Sequence, residues 1–416
     1  MNIKNFDPYD FSKREIDGVP IYYKNLPSAP CIHIRIVFNT GTLDDPIGKD
    51  GLSHFFEHLI FKGCPTLPNE KSIREWKIIN TLGTWNGVTG LDKTYYSLKC
   101  LPEKYEIVLS GMKDMIFNSY LKDEDIESER KVILQESWNY FKNEKSLKYH
   151  KEFAEKLFHG HIHEKTATGI GWPDNIEKIT KNDIISRYKE SYGIGNFFII
   201  LAGSVEEKHI ELLKDFLKNL RKVNRPSRNS GILNKPKGKS FITTADEIGE
   251  IKETARISLY RVAEERPYLE NEIRNISRIL TSDLLIEKLR TEDKLCYFVS
   301  VNFWNEKEYS FTNLNVKAKE SDIELVEKGV WNVLNKIYNG KYIDRFEVVK
   351  KMYIESLKAS ERLSHDIAND AIDEVLRYGK IITQKEEISE AEKVTYKNVV
   401  KFIKWAFDPE YVYTEI

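Results

Sequence analysis

Long apolar runs are missing from this sequence. No stretch approaches the ~18 consecutive apolar residues that a membrane-spanning helix needs, so no membrane association is expected. Paired cysteines are missing too: Cys31, Cys64, Cys100 and Cys296 are scattered, with no CxxC among them. They read as free thiols in a reducing compartment. An excess of either charge is absent, because 64 Lys and Arg face 65 Asp and Glu for a net charge of −1. That balance gives no global attraction to nucleic acid or anionic lipid. Residues 1–18 are polar and mixed in charge, with neither the apolar core of a secretion signal nor the Arg-rich, acid-poor pattern of a transit peptide. Cytoplasm is the expected location.

What is present suits a folded chain of more than one domain. Its 416 residues are 41% hydrophobic and 12% aromatic, and about two or three domains is the prior for that length. Strands are predicted over 19–23 and 31–38. In the second, Ile32, Ile34, Ile36 and Phe38 share one face while His33 and Arg35 take the other. Next come a helix over 71–82, strand through 84–100 and long helical patterns over 103–118 and 122–158. The apolar run 197–203 is short enough for a buried strand, and a helix is predicted after it over 206–220. Residues 221–239 are rich in Arg, Lys, Asn, Ser, Pro and Gly and read as a linker.

Beyond the linker the order of elements repeats. A strand at 255–260 leads to a helix over 268–290, strands near 296–303 and 310–316, and helices over 323–338 and 344–361. The pattern predicts an α+β fold with two similar domains, 1–220 and 240–416, joined by 221–239.

The chemistry concentrates in Gly51-Leu52-Ser53-His54-Phe55-Phe56-Glu57-His58-Leu59-Ile60-Phe61-Lys62-Gly63. Phe55, Phe56, Leu59 and Ile60 supply an apolar helical face, and Gly63 with Pro65 after it gives a stop signal. On that helix His54 and His58 leave one face a turn apart, with Glu57 beside them. Two imidazoles and a carboxylate can hold and use a divalent metal, and a catalytic zinc site takes a third protein ligand from elsewhere. Glu129 and Glu136 are two helical turns apart on a later helical pattern, with Val132 and Ile133 between. A carboxylate beside such apolar residues needs a partner. His159, His161 and His163 alternate with no acid or thiol at a fixed offset and read as a loop.

His54-x-x-Glu57-His58, the Glu129/Glu136 pair, Asn86-Gly87-Val88-Thr89 before Thr94-x-Tyr96, and Arg290 with Tyr297 together resemble the pitrilysin-like inverted-motif zinc peptidases. That group contains the mitochondrial processing peptidase and insulin-degrading enzyme, and the match runs through both halves of the chain. The resemblance implies one zinc per chain, held by His54, His58 and Glu136, with Glu57 as the base that activates water and Glu129 as a supporting acid. It implies a mostly antiparallel sheet packed with helices in each domain, and substrate added as a strand beside residues 84–88. Asn86 would bond the peptide backbone, Gly87 stands at the family's small position, and Trp85 either fills the core or narrows a side-chain pocket.

Arg290 and Tyr297 resemble the pair that reaches substrate and the developing oxyanion. Long family members carry two two-domain halves in one chain. This chain, half that size, is therefore expected to close as a clamshell homodimer, Arg290 and Tyr297 of one subunit serving the zinc of the other. The function implied is a zinc-dependent endopeptidase acting on peptides or unfolded segments. The alternative is a non-catalytic partner subunit of the same fold.

Overall fold

The computed structural model describes residues 7–164, 169–224, 231–236, 240–241, 254–264, 271–305, 309–359 and 362–415. They form two compact units that do not follow a single cut through the chain. The first comprises Met1–Tyr140, Lys165–Asn229 and Glu361–Thr383, and the second Phe141–Glu164, Ser230–Ser360 and Gln384–Ile416. One of the crossings between them, from 229 to 230, falls inside the segment 221–239, of which 225–230 and 237–239 lie outside the described residues.

The first unit is built on a sheet of six strands. These are β1 (Ser12–Ile16), β2 (Val19–Asn25), β3 (Ile32–Phe38), β4 (Asn86–Thr89), β5 (Thr94–Cys100) and β6 (Phe197–Gly203), in the order β1-β2-β6-β3-β5-β4. Every pairing is antiparallel except β2 with β6. The alternation in β3 predicts one wet face, yet all seven of its residues are buried. Ile32, Ile34, Ile36 and Phe38 point into the main core. On the opposite face Val37, with Phe198, Ile200 and Ala202 of β6, packs against Ala368, Ala371 and Ile372 of the helix Ser364–Tyr378. That helix also covers Arg35, whose Nε donates to Asn369 Oδ1 at 2.9 Å. A distant segment thus belongs to the first unit because a sheet with two apolar faces needs cover on both.

The helices of this unit include α1 (Leu52–Leu59), α2 (Glu70–Asn80), α3 (Tyr105–Phe117) and α4 (Asp123–Phe141). The pattern over 122–158 predicts one continuous helix, but the chain breaks after α4. Lys142 takes a left-handed conformation with φ 65°, and Asn143 caps the next helix, Glu144–Leu157, by accepting from Ser146 N at 2.9 Å. The helix expected over 206–220 is likewise two short pieces, Glu207–Glu211 and Leu213–Leu217.

The second unit carries a five-stranded sheet, β7 (Ser240–Phe241), β8 (Thr254–Glu264), β9 (Cys296–Asn305), β10 (Tyr309–Lys319) and β11 (Tyr413–Glu415), ordered β7-β11-β8-β10-β9. Ile257, Leu259, Leu314 and Val316 pack on Leu280 and Leu284 of the helix Asn271–Leu285 and on Val330 and Leu334 of Ile323–Tyr338. The helix Glu144–Leu157 belongs here because Tyr149 donates its hydroxyl to Glu415 of β11. The same buried carboxylate accepts from Arg256 at 2.7 Å and Tyr260 at 3.0 Å.

His161 and His163, expected in a loop, lie at a short 3-10 turn in this unit and are buried. His163 meets Phe158 edge-on at 4.3 Å and Tyr309 at 5.9 Å. Burial pushes its imidazole down to about 3. All four cysteines are free. Among the described residues no helix is long and apolar enough to cross a membrane.

Candidate metal centre

The motif helix is shorter than its sequence pattern, and it is held at its N-terminal end. Gly51 precedes α1 in the left-handed region at φ 95°, and a Cβ there would lie 3.1 Å from Gly171 Cα. The left-handed backbone favours glycine there, and a side chain would also crowd Gly171. No side chain of the cap residue satisfies the first turn. The buried Asp45 does so, accepting from Gly51 N at 2.9 Å, Ser53 N at 3.1 Å and Ser53 Oγ at 2.6 Å. Arg187 lies 3.2 Å from the same carboxylate. Phe55, Phe56 and Leu59 are buried in the main core, and Phe56 stacks on Tyr188 at 5.1 Å. Each such side chain contributes about 1.5–3 kcal/mol. α1 is therefore anchored by its apolar face, which leaves His54 and His58 to the cleft.

α4 supplies the remaining carboxylates. Ile126 and Ile133 are buried and fix its rotation. Val132, expected between the two glutamates on the inner face, is 40% exposed. Glu129, three residues after Ile126, is buried and accepts from His58 Nδ1 at 2.9 Å. It also pairs with Lys62, which holds Glu70 at the start of α2 as well. Burial pushes Glu129 up, but the bonds from His58 and Lys62 outweigh it and hold the carboxyl below its ordinary value. Arg130, a rival partner for Glu129, instead pairs with Glu127 at 3.1 Å and donates to Ile176 O at 2.7 Å.

The atoms that could bind an ion converge. The Nε2 atoms of His54 and His58 are 3.1 Å apart, and Glu136 Oε2 lies 3.8 Å from the first and 3.6 Å from the second. Three ligands bonded at ~2.0–2.1 Å around a tetrahedral zinc would be separated by roughly 3.4 Å. Because Glu129 fixes the proton of His58 on Nδ1, the lone pair of Nε2 points at the other two groups. Burial, with the neighbouring His58, pushes His54 down to about 4, which leaves it as a neutral ligand. Burial pulls His58 down as well, but Glu129, Glu57 and Glu136 together raise it above the usual imidazole range. A field that favours a proton there also favours a metal cation. The residues therefore fit a divalent zinc.

Two carboxylates compete for the third position. Glu57 has an oxygen within 4.8 Å of nitrogens of both histidines, while Glu136 reaches both at tetrahedral-edge distance. Glu57 is engaged elsewhere. It is buried, its Oε2 accepts from Thr89 Oγ1 at 3.4 Å, and its Oε1 occupies the space where a Cβ on Gly87 would sit, 2.2 Å away. Burial pushes its carboxyl up to about 7. Glu136 thus reaches both histidine nitrogens, while Glu57 is held against Gly87 and Thr89. The resemblance marks Gly87 only as a small residue; the room it leaves for Glu57 appears with the pairing of β4.

β4 ends the sheet. It pairs with β5 from Asn86 opposite Ser97 to Thr89 opposite Thr94, and its other edge takes no strand among the described residues. Asn86 is exposed at that edge. Trp85, just before it, is 1% exposed and sits among Phe61, Trp76 and Tyr96 with ring centroids 5.5–6.4 Å away. It is mainly a core residue whose surface forms part of the cleft wall. The cleft, about 930 Å³, is bounded by α1, the β4 edge, α2 and α4.

Arg290 and Tyr297 lie in the second unit, each on a local irregularity. Arg290 is exposed in a π-helical stretch, Ile286–Glu292, that prolongs the helix Asn271–Leu285. Among the described residues it forms no ion pair: Glu292 is taken by Lys288, and Glu287 faces Arg345. Tyr297 is 52% exposed on the edge strand β9. Phe298 is opposite Lys317 and Cys296 opposite Ala318, which leaves Tyr297 as the extra residue of a β-bulge. Bulges and π-turns often re-aim side chains for use. Neither is readable from periodicity.

The Lys62–Glu129–His58 chain leads to a prediction. Replacing Lys62 with Met leaves Glu129 buried with one partner fewer, and zinc affinity is expected to fall roughly 10- to 100-fold. Lys62→Arg should keep most of it. Competition with a chromophoric chelator measures both, and an unchanged Lys62→Met affinity would show that Glu129 holds His58 unaided.

An α+β chain with an inverted His-x-x-Glu-His helix, a distal glutamate and an open strand edge beside them is of the metallopeptidase type. Comparison with known proteins agrees. The insulinase (peptidase family M16) signature matches residues 21–167, and that of the peptidase M16 inactive domain matches 178–351. The chain belongs to the M16 (insulinase) peptidase family. It is 28% identical over 277 residues to an uncharacterized zinc protease of Rickettsia felis, a match covering 65% of this chain and 61% of that protein. It is 27% identical over 217 residues to the mitochondrial-processing peptidase subunit beta of Dictyostelium discoideum, covering 51% of this chain and 45% of that one. The matches thus span less than two thirds of these relatives' lengths. A protease from Helicobacter pylori has the same fold, with TM-score 0.81 at 18% identity over 98% of each chain. So does the first half of the periplasmic protease PqqL from Escherichia coli, with TM-score 0.82 at 17% identity over 97% of this chain and 91% of that one.

Proposed function

We propose that the chain is a zinc-dependent endopeptidase acting on peptides or unfolded polypeptide segments in the cytoplasm. The observation that carries this reading is the convergence of His54 Nε2, His58 Nε2 and Glu136 Oε2 within 3.1–3.8 Å, with the buried Glu57 alongside. Zinc held by these three residues supplies Lewis acidity, polarising a peptide carbonyl and acidifying water. The protein's own groups do the rest. Glu129 keeps His58 in the tautomer that presents Nε2. Glu57 takes the proton from the attacking water and passes it to the leaving amine. The free edge of β4 aligns an extended peptide by main-chain bonds, with Asn86 adding a side-chain contact. A mixed library of unstructured peptides should be cleaved by zinc-loaded protein, lose cleavage on chelation and regain it with zinc. Stoichiometric zinc without cleavage would favour the partner-subunit reading.

Arg290 and Tyr297 complete the proposal as donors to substrate and oxyanion from a second copy of the chain. Their exposure, and the lack of an ion-pair partner for Arg290 among the described residues, support this role. The check mixes two inactive proteins, Glu57→Gln and Arg290→Ala, under conditions of subunit exchange. A mixed homodimer then holds one intact site, and up to about a quarter of wild-type activity should return, since about half of randomly exchanged dimers are mixed and each has one of its two sites intact. No recovery despite demonstrated exchange would rule out service across the interface.

A further inference from the structure

The charges around the cleft are sorted. Residues 70, 73, 74 and 77 recur at helical spacing, so Glu70, Ile73, Arg74 and Lys77 form one stripe of α2, and that stripe lines the cleft. Ile73 is buried and anchors it. Glu70 is committed to Lys62, which also pairs with Glu129. Arg74 and Lys77 are left: neither forms a side-chain hydrogen bond or ion pair among the described residues. The neighbouring Lys71 and Glu75 lie off the stripe, 3.9 Å from each other. The other carboxylates lining the cleft, Glu57, Glu129 and Glu136, gather at the metal end, beside His54 and His58. The wall toward α2 is therefore positive, beside a strand edge whose backbone would read a peptide without regard to sequence.

We infer that Arg74 and Lys77 form a selectivity wall that favours peptides carrying an Asp or Glu side chain where the bound strand passes α2. This rests on the peptidase reading and deepens it by naming a substrate class. Main-chain pairing along β4 supplies affinity without preference, so discrimination must come from side chains that meet the walls. A carboxylate there meets two cations with no competing acid of their own. A Lys or Arg side chain meets repulsion. The two cations are partly exposed, so the preference should be moderate and should shrink with salt.

Binding, rather than turnover, is the test. The zinc-loaded full chain with Glu57→Gln is titrated by fluorescence anisotropy with labelled extended peptides that differ only by Glu, Gln or Lys at successive positions. Glu should bind about 5- to 20-fold more tightly than Lys at one or two positions, and the gap should narrow at about 0.5 M salt, where the Debye length is only about 4 Å. Adding Arg74→Glu and Lys77→Glu should invert the ranking, and Arg74→Gln with Lys77→Gln should flatten it. Thermal unfolding of each variant shows that the fold is kept. No dependence on peptide charge, a ranking that survives the double reversal, or no peptide binding at all would each overturn the inference. Cleavage of the Gln peptide by the protein with Glu57 intact is measured separately. Its absence would count against the peptidase reading, while the binding ranking still decides the charge preference.

Discussion

Glu57→Gln is expected to reduce peptide cleavage by roughly 10²–10⁴-fold while one zinc per chain is retained. The substitution keeps the shape of the side chain but removes its ability to take a proton. Glutamine fits where Glu57 lies, with one side-chain terminal atom in the space opened by Gly87 and the other near the Thr89 hydroxyl. His54, His58 and Glu136 keep their positions, so the ion stays. Burying a carboxylate is costly, and the upward push on Glu57 to about 7 reflects that cost. The variant should therefore unfold at a temperature no lower than the parent, giving a stable, metal-loaded, inactive protein. Metal analysis, circular dichroism melting and initial rates on one peptide measure the three properties. Loss of zinc along with activity would instead make Glu57 a ligand.

Glu136→Gln should behave in the opposite way, losing metal first and activity as a consequence. Replacing a charged ligand weakens binding beyond the roughly 10- to 100-fold expected for an outer partner such as Lys62. The side chain of Glu136 is 41% exposed and packs no core, so the metal-free fold should change by no more than about 0.5 kcal/mol. Glu129 differs. It is 5% exposed between His58 and Lys62, and removing it leaves two groups without their partner, so the metal-free protein is expected to melt earlier. Zinc titrations and melting curves of the two variants, run side by side, separate ligand from supporting acid. Equal effects on metal affinity would merge the roles.

Local periodicity carried most of what could be read in the sequence. The turn-apart placement of His54 and His58, the two-turn spacing of Glu129 and Glu136, and the buried run of β6 all come from patterns within single elements. What escaped depends on contacts between distant segments. The second face of β3 reads as wet because its cover, the helix Ser364–Tyr378, lies far along the chain. The break between α4 and the next helix turns on one left-handed residue, Lys142, and on the cap from Asn143, a small local signal inside a long helical pattern. Val132 faces outward because Ile126 and Ile133 already set the rotation of α4.

At the centre itself, residue types and spacing pointed to a metal, and the resemblance supplied the division of labour. Geometry added the space Glu57 occupies: Gly87, on a strand brought beside α1 by sheet pairing, leaves its carboxylate room. It also showed that Lys62 belongs to the site. The bulge at Tyr297 and the π-turn at Arg290 arise from a register mismatch and an extra residue per turn, which composition does not mark.

Everything proposed for the site depends on His54, His58 and Glu136 holding the ion while Glu57 stays outside the ligand set. Anomalous diffraction at the zinc edge, from crystals of the zinc-loaded protein, decides it. The expected result is one peak per chain, ~2.0–2.2 Å from both Nε2 atoms and from a Glu136 oxygen, with no oxygen of Glu57 at bonding distance. A peak bonded to Glu57 and not to Glu136, or placed away from the two histidines, would contradict it.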